Sequence, residues 1–224
     1  MDTLDNPAWH SLALQTEFAE GDSRARRYLP DIDPVAALPD GAPPEAWAAL
    51  RPLVGANEPV HLLQPAFEVP DDWSVGHRGT VVQMIGVEPS ARIAGVPFID
   101  LGVEDGPEML ALALATEPGP FAARTHELGQ FVGIRIDGRL VAMAGERFVL
   151  PGMTEVSAVC THPQHRGKGW AAALTAEMSA RIHERGQTPF LHVVESNTTA
   201  RGVYERIGFQ DRTLLAHVLV SPRA

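Results

Sequence analysis

An α/β fold with a mixed sheet is what this sequence predicts, and three observations predict it. Short apolar runs of strand length alternate with longer stretches whose apolar residues recur at helical spacing, most regularly after Pro97. Two apolar runs, Phe131 to Ile136 and Leu140 to Ala144, flank Asp137-Gly138, a dipeptide suited to a two-residue hairpin. A strand-like run, Thr154 to Thr161, enters a long helical stretch through Gln164-His165-Arg166-Gly167-Lys168-Gly169-Trp170-Ala171.

In chain order, Trp9 to Phe18 and Pro44 to Val54 read as helices. The second has Trp47, Leu50 and Val54 on one face, Pro44 near its start and Gly55 at its stop. Val60 to Leu63 and Thr80 to Val87 read as strands. Arg24, Arg26, Arg27 and Tyr28 form a basic aromatic cluster, read either as a clamp on an acidic group or as a solvated face with a packed tyrosine. Residues 1–95 thus read as an N-terminal α/β lobe that resembles a partial second lobe of the same α/β type, without a cofactor motif. It is expected to pack on the remainder or to shape an acceptor site.

Residues 96–224 read more regularly. Phe98 to Leu101 is a short strand, and Asp105 is placed to cap a helix carrying Met109, Leu110, Leu112 and Leu114. Glu117-Pro118-Gly119-Pro120 ends that helix, and a second short helix from Phe121 to Leu128 precedes the hairpin. Pro163 closes the Thr154 to Thr161 strand. Ala171, Leu174, Met178 and Ile182 mark the next helix, which stops at Arg185-Gly186. A strand at Phe190 to Val194, a helix after Asn197 and a strand at Leu214 to Val220 complete the chain.

The glycine-bearing turn carries the first chemical signal. A helix that starts there leaves its first N–H groups unpaired, and its dipole favours an anion at that end. Gly167 and Gly169 let the backbone curl into a nest of N–H groups, with Arg166 and Lys168 adding positive charge. By its residues alone the turn is either a phosphate site or a plain change of direction. A P-loop requires Ser or Thr after Gly-Lys, where Gly169 stands; a dinucleotide fingerprint requires a third glycine, where Ala172 stands.

The stretch resembles motif A of the GNAT superfamily of N-acetyltransferases, Q/R-x-x-G-x-G/A. Both Gln164 to Gly169 and Arg166 to Ala171 satisfy the pattern. Phe190 to Val194, Asn197 and Tyr204-Glu205-Arg206-Ile207-Gly208-Phe209 are similar to the strand, asparagine and Y-E-x-x-G-F ending of the same superfamily. The resemblance covers about the last 125 residues. It implies a GNAT-like mixed, splayed central sheet flanked by helices, to which the N-terminal α/β lobe is an addition.

The resemblance also implies acetyl-CoA as acyl donor, lying between two splayed strands. Val159, Cys160 and Thr161 would contact its pantetheine, and Arg166, Gly167, Lys168, Gly169, Trp170 and Ala171 its pyrophosphate. Asn197 and Tyr204, seven residues apart and so within about 20° on a helix, would both face it. Tyr204 matches the superfamily's usual acid, which protonates the departing thiolate; Asn197 also suits a helix cap. For the base that takes the amine's proton, Glu155 is the choice, with Glu146, His192 and a bound water as rivals. Period two places Glu155 with Ser157, Val159 and Thr161 on one face. The acceptor pocket is expected around Val103 to Gln130.

Composition narrows the partners. The 224 residues, 45% hydrophobic, suffice for a sizeable core. A net charge of -10 argues against nucleic acid and is compatible with a cationic amine. No run reaches the length of a membrane span and the N-terminus is acidic, so a cytoplasmic protein is expected. The single cysteine, Cys160, excludes an intrachain disulfide, and no metal-ligand spacing such as H-E-x-x-H occurs. Cys160 has no activating base in Val159 or Thr161, so direct transfer in a ternary complex is expected. The reading is an acetyl-CoA-dependent N-acetyltransferase for a small or amino-acid-like amine, compatible with a homodimer and without a metal. The alternative is a non-catalytic acyl-CoA-binding regulatory module.

Overall fold

Tandem apolar strands meet in one mixed sheet in the computed structural model, which describes residues 2–55 and 58–223. The N-terminal part supplies α1 (Pro7–Leu14), β1 (Ala19–Gly21), β2 (Arg26–Tyr28), β3 (Val35–Ala37), α2 (Pro44–Leu50), β4 (Val60–Gln64) and β5 (Trp73–Gly86). There follow β6 (Ile99–Leu101), α3 (Gly106–Thr116), β7 (Phe131–Ile136), β8 (Arg139–Leu150) and β9 (Met153–Thr161). The chain ends with α4 (Trp170–Glu184), β10 (Thr188–Val194), α5 (Thr198–Arg206) and β11 (Phe209–Pro222). No helix among the described residues is long and apolar enough to cross a membrane.

The sheet order is β1-β2-β3-β4-β11-β5-β10-β9-β8-β7-β6, antiparallel except at β3/β4 and β9/β10. β5, from the N-terminal part, lies inside it, bonded to β11 on one side and β10 on the other. A division at residue 95 therefore coincides with no break in the sheet. Leu63 on β4 and Phe148 on β8 lie five places apart in the strand order yet share one core with α1, so the sheet curls around that helix. α4 and α3 cover opposite faces of β8 and β9: Ala142 and Ala144 pack toward α4, and Met143 between them toward α3.

Local chemistry explains most elements. Asp137 and Gly138 take φ of +49° and +79°, the primed-turn geometry that matches strand twist. α1 and the residue that follows it insert two polar side chains into the core without leaving them unsatisfied. Ser11 and Gln15 bond each other and the Tyr28 hydroxyl, and Ser11 also accepts from the Val149 amide. Elements differ from the sequence expectation where caps or tertiary contacts prevail. The first helix stops at Leu14 before a 3-10 turn at Thr16–Phe18, and Phe121 to Leu128 forms only a 3-10 turn at Thr125–Leu128. Asp105 makes no cap bond to α3; it accepts from the Gly102 amide and pairs with Arg135. The basic cluster is no solvated face: Arg27 and Tyr28 are buried, Arg26 lies over the Trp9 ring at 3.9 Å, and only Arg24 stays on the surface with Asp22.

Candidate active site

β9 and β10 begin as a parallel pair and then part. Their register holds at three pairs, Met153 with Thr188, Pro189 with Thr154 and Phe190 with Glu155. Beyond Glu155, β9 is registered only with β8, and β10 continues only with β5. The strands thus open a cleft within the sheet, which leaves backbone groups on its walls for a ligand.

At the wall of this cleft β9 carries a bulge. Met143 faces Cys160 and Gly145 faces Ser157, so Ala158 and Val159 together oppose Ala144. Ala158 takes φ of +52°, a left-handed conformation that costs about 1–2 kcal/mol for a residue with a Cβ. Such an outlier marks a site where backbone is re-aimed. The extra residue also changes the face assignment. Val156 and Val159 both lean on the α4 core, while Ala158 and Cys160 pack toward α3. Strict alternation would have set Val159 on the face of Glu155, and the bulge moves it to the other.

The turn after β9 is built as a nest. Gly167 and Gly169 have φ of +79° and +75°, and a Cβ added to either would meet nothing within 4 Å. Gly169 caps α4 without a side-chain bond, so the first amides of a fifteen-residue helix have no side-chain acceptor at the cap. Lys168 lies over Trp170, its Nζ 4.7 Å from the ring, and His165 stacks on the same indole with the ring centres 5.9 Å apart. Arg166 Nε donates to the Thr161 carbonyl at 3.3 Å, tying the turn to the end of β9. This geometry fits a diphosphate, with the cleft running from it into the sheet.

α5 reaches the cleft from the α4 side. Asn197 caps it by accepting from the Ala200 amide at 3.1 Å and is exposed. Tyr204 is 9% exposed and packs against Phe209, in a cluster with Leu191 and Val193 of β10. Burial and the neighbouring Cys160 push its hydroxyl up to about 12, so it keeps its proton across the ordinary pH range. Burial likewise raises the Cys160 thiol to about 11, which fits a packed residue.

The three side-chain candidates for a base are all engaged. Glu155 is 1% exposed and held by Arg147 through Nε to Oε2 at 2.8 Å and Nη2 to Oε1 at 2.9 Å. Burial alone would raise its carboxyl, but the Arg147 charge and the His192 bond outweigh it and hold it at about 2. His192 Nδ1 lies 2.7 Å from Glu155 Oε1, and Nε2 lies 3.1 Å from Gln83 Nε2. Gln83 accepts from Arg212 at Oε1 and donates to the Leu4 carbonyl at Nε2. Its second amide hydrogen therefore serves His192 Nε2, and the imidazole donates to Glu155 from Nδ1. Glu146 is paired with Arg185 at 2.7 Å. Arg147, which organises this network, was missed by pattern reading; a charged residue within the apolar run of β8 was its only signal.

The comparisons agree with this geometry. Residues 131–218 match the model of the FR47-like protein family. Over 100% of both chains, at 40% identity and a TM-score of 0.92, the protein is similar to a GNAT-family protein from Novosphingobium aromaticivorans DSM 12444 described as a candidate acetyltransferase. A GCN5-related N-acetyltransferase from Kribbella flavida shares the fold at 20% identity and a TM-score of 0.66, over 97% of this chain and 96% of that one. A GNAT-family acetyltransferase from Colwellia psychrerythraea does so at 15% identity and 0.54, over 66% and 56%. No curated protein matches. With a cleft, bulge and glycine turn in place and a full-length relative at 40% identity, this chain belongs to the GNAT family of acetyltransferases.

Proposed function

We propose that the protein transfers acetyl from acetyl-CoA to a primary amine of a small acceptor by direct attack in a ternary complex. The observation that carries this reading is the β9/β10 cleft, which opens beside the Gly167–Gly169 nest and is reached by the Tyr204 ring. Val159, Cys160 and Thr161 line the β9 wall for the pantetheine, and residues 166–171 hold the pyrophosphate by backbone N–H groups and the helix dipole. Asn197 fixes the start of α5 and so the depth to which Tyr204 reaches.

In the reaction the amine lone pair forms the C–N bond at the thioester carbonyl, and the carbonyl oxygen gains the charge. The C–S bond then breaks as Tyr204 gives its proton to the departing sulfur, and solvent restores the phenol. Water in the cleft takes the amine's proton, because Glu155, His192 and Glu146 are each committed to other partners. The site is proposed to act in the cytoplasm without a metal.

Release of free thiol from acetyl-CoA by the purified chain, with and without an amine mixture, tests the proposal. Amine-stimulated release is expected, with one CoA bound per chain at saturation. CoA binding without stimulation by any amine would identify a binding module instead.

A further inference from the structure

One side chain from each of five neighbouring strands joins a polar row across the sheet, at the level where the cleft begins. Arg147 of β8 holds Glu155 of β9, and Glu155 accepts from His192 of β10. His192 accepts from the amide of Gln83 on β5, and Gln83 Oε1 accepts from Arg212 of β11 at 2.9 Å. The row ends on the N-terminal segment: Arg212 Nη2 reaches Asp5 at 2.7 Å and Asp2 at 3.1 Å, and the Gln83 amide donates to the Leu4 carbonyl at 2.9 Å. Arg147, Glu155, Gln83 and the His192 side chain are all buried, so each depends on its neighbours in the row for its hydrogen bonds.

Within this row the bond from His192 to Glu155 crosses the cleft. β9 and β10 share three register pairs and then separate, and among the described residues this 2.7 Å bond is the one side-chain hydrogen bond between them. His192 lies two residues beyond Phe190, the last β10 residue paired with β9, as Ser157 lies two beyond Glu155. A continued register would set His192 against Ser157, just before the bulge at Ala158, but the imidazole reaches back to Glu155. Phe190 and Phe148, both fully buried, meet its ring edge-on at 5.8 and 6.4 Å. With both nitrogens bonded and two phenyl rings against it, the imidazole is held in one orientation. On the other face of β10, Leu191 and Val193 pack with Tyr204.

A ligand that runs from the nest along β9 meets this crossing as the end of the cleft. From Thr161 to Glu155 is six residues, about 20 Å at ~3.3 Å each, of the order of an extended pantetheine arm with a short acyl group. We propose that His192, tied to Glu155, is the floor of the cleft at its acyl end and limits the donor to short acyl groups, acetyl ahead of butyryl. This deepens the acetyl-transfer reading and rests on it for the donor's place in the cleft. One methylene against a closed wall is worth about 10- to 200-fold in discrimination. The imidazole cannot give way to it without leaving buried groups unpaired.

Calorimetry of the full chain with acetyl-CoA and butyryl-CoA reads the floor without any transfer. The parent is expected to bind butyryl-CoA at least about tenfold more weakly than acetyl-CoA, and His192→Ala to bring the two within about threefold. Glu155 keeps both Arg147 bonds in that variant. His192→Asn, which retains a donor near the Nδ1 position and removes the outer part of the ring, is expected to fall between the two and decides the matter where His192→Ala does not fold. Equal affinities in the parent, or a ratio that the folded variants leave unchanged, would overturn the assignment. Thiol release with a stimulating amine reads the reaction separately: the butyryl-to-acetyl ratio of kcat/KM should rise at least about tenfold in His192→Ala. A merely structural role lowers both rates alike and leaves that ratio as it was, which also overturns the proposal. A chain that discriminates between the two thioesters in binding yet releases no thiol retains the floor and loses acetyl transfer. A chain that binds neither loses both.

Discussion

Arg147 grips Glu155 from the neighbouring strand through two parallel hydrogen bonds of 2.8 and 2.9 Å, inside the curl of the sheet. Removing one partner of such a buried pair leaves an uncompensated charge, at a cost of about 3–5 kcal/mol. Glu155→Gln should therefore lower the urea midpoint markedly. The carboxyl sits at about 2, below its ordinary 4.5, so its contribution is fully present above pH 4.5 and is lost as pH falls through 2. Loss of activity in this variant with an unchanged urea midpoint would restore Glu155 as the base.

Tyr204→Phe keeps the packing on Phe209 and removes the proton. Turnover is expected to fall by about 10² to 10⁴, with CoA affinity nearly intact. Because the phenol titrates only at about 12, it should impose no alkaline limb on the parent's rate below pH 10. A pH–rate profile of parent and variant decides both points, and equal turnover would exclude Tyr204 as the acid.

Gly169→Val tests the nest. A left-handed φ of +75° strains any residue with a Cβ by about 1–2 kcal/mol, more for a β-branched one, and the added methyls project into the open space proposed for the pyrophosphate. Calorimetry should show CoA affinity at least about tenfold weaker in the folded variant. Unchanged affinity would remove the nest as the diphosphate site.

Asp33 makes stability depend on pH in the opposite sense to Glu155. Burial pushes its carboxyl up to about 7 from 3.8, the Arg147 charge pulling it back only in part. Its contribution is fully present below pH 3.8 and is lost as pH rises through 7. Asp33→Asn should thus gain stability relative to the parent as pH rises from about 4 to 7, read as a difference in melting temperature. A constant difference across that window would show that Asp33 does not titrate there.

The glycine turn and the elements on either side of it were legible because they are written in contiguous residues. Gly167 and Gly169 mark their own positive φ, Asp137-Gly138 its own hairpin, and Asn197 its own cap, since each of these is decided within a few residues of chain. The helix after residue 169 and the strand before it follow from apolar spacing for the same reason. What lay beyond the sequence depends on partners far apart in the chain. β5 enters the sheet between β10 and β11, although its nearest residues in sequence to either are more than a hundred positions away. Glu155 looks like a free acid opening a strand until Arg147 and His192 close around it, and the bulge at Ala158 moves Val159 to a face that strict alternation denies it. Asp33, in a proline-bounded loop without periodicity, meets Arg147 only because the sheet curls around α1. Local backbone preference is a property of short stretches, whereas the pairing of buried charges is settled by whichever groups the packed core brings together.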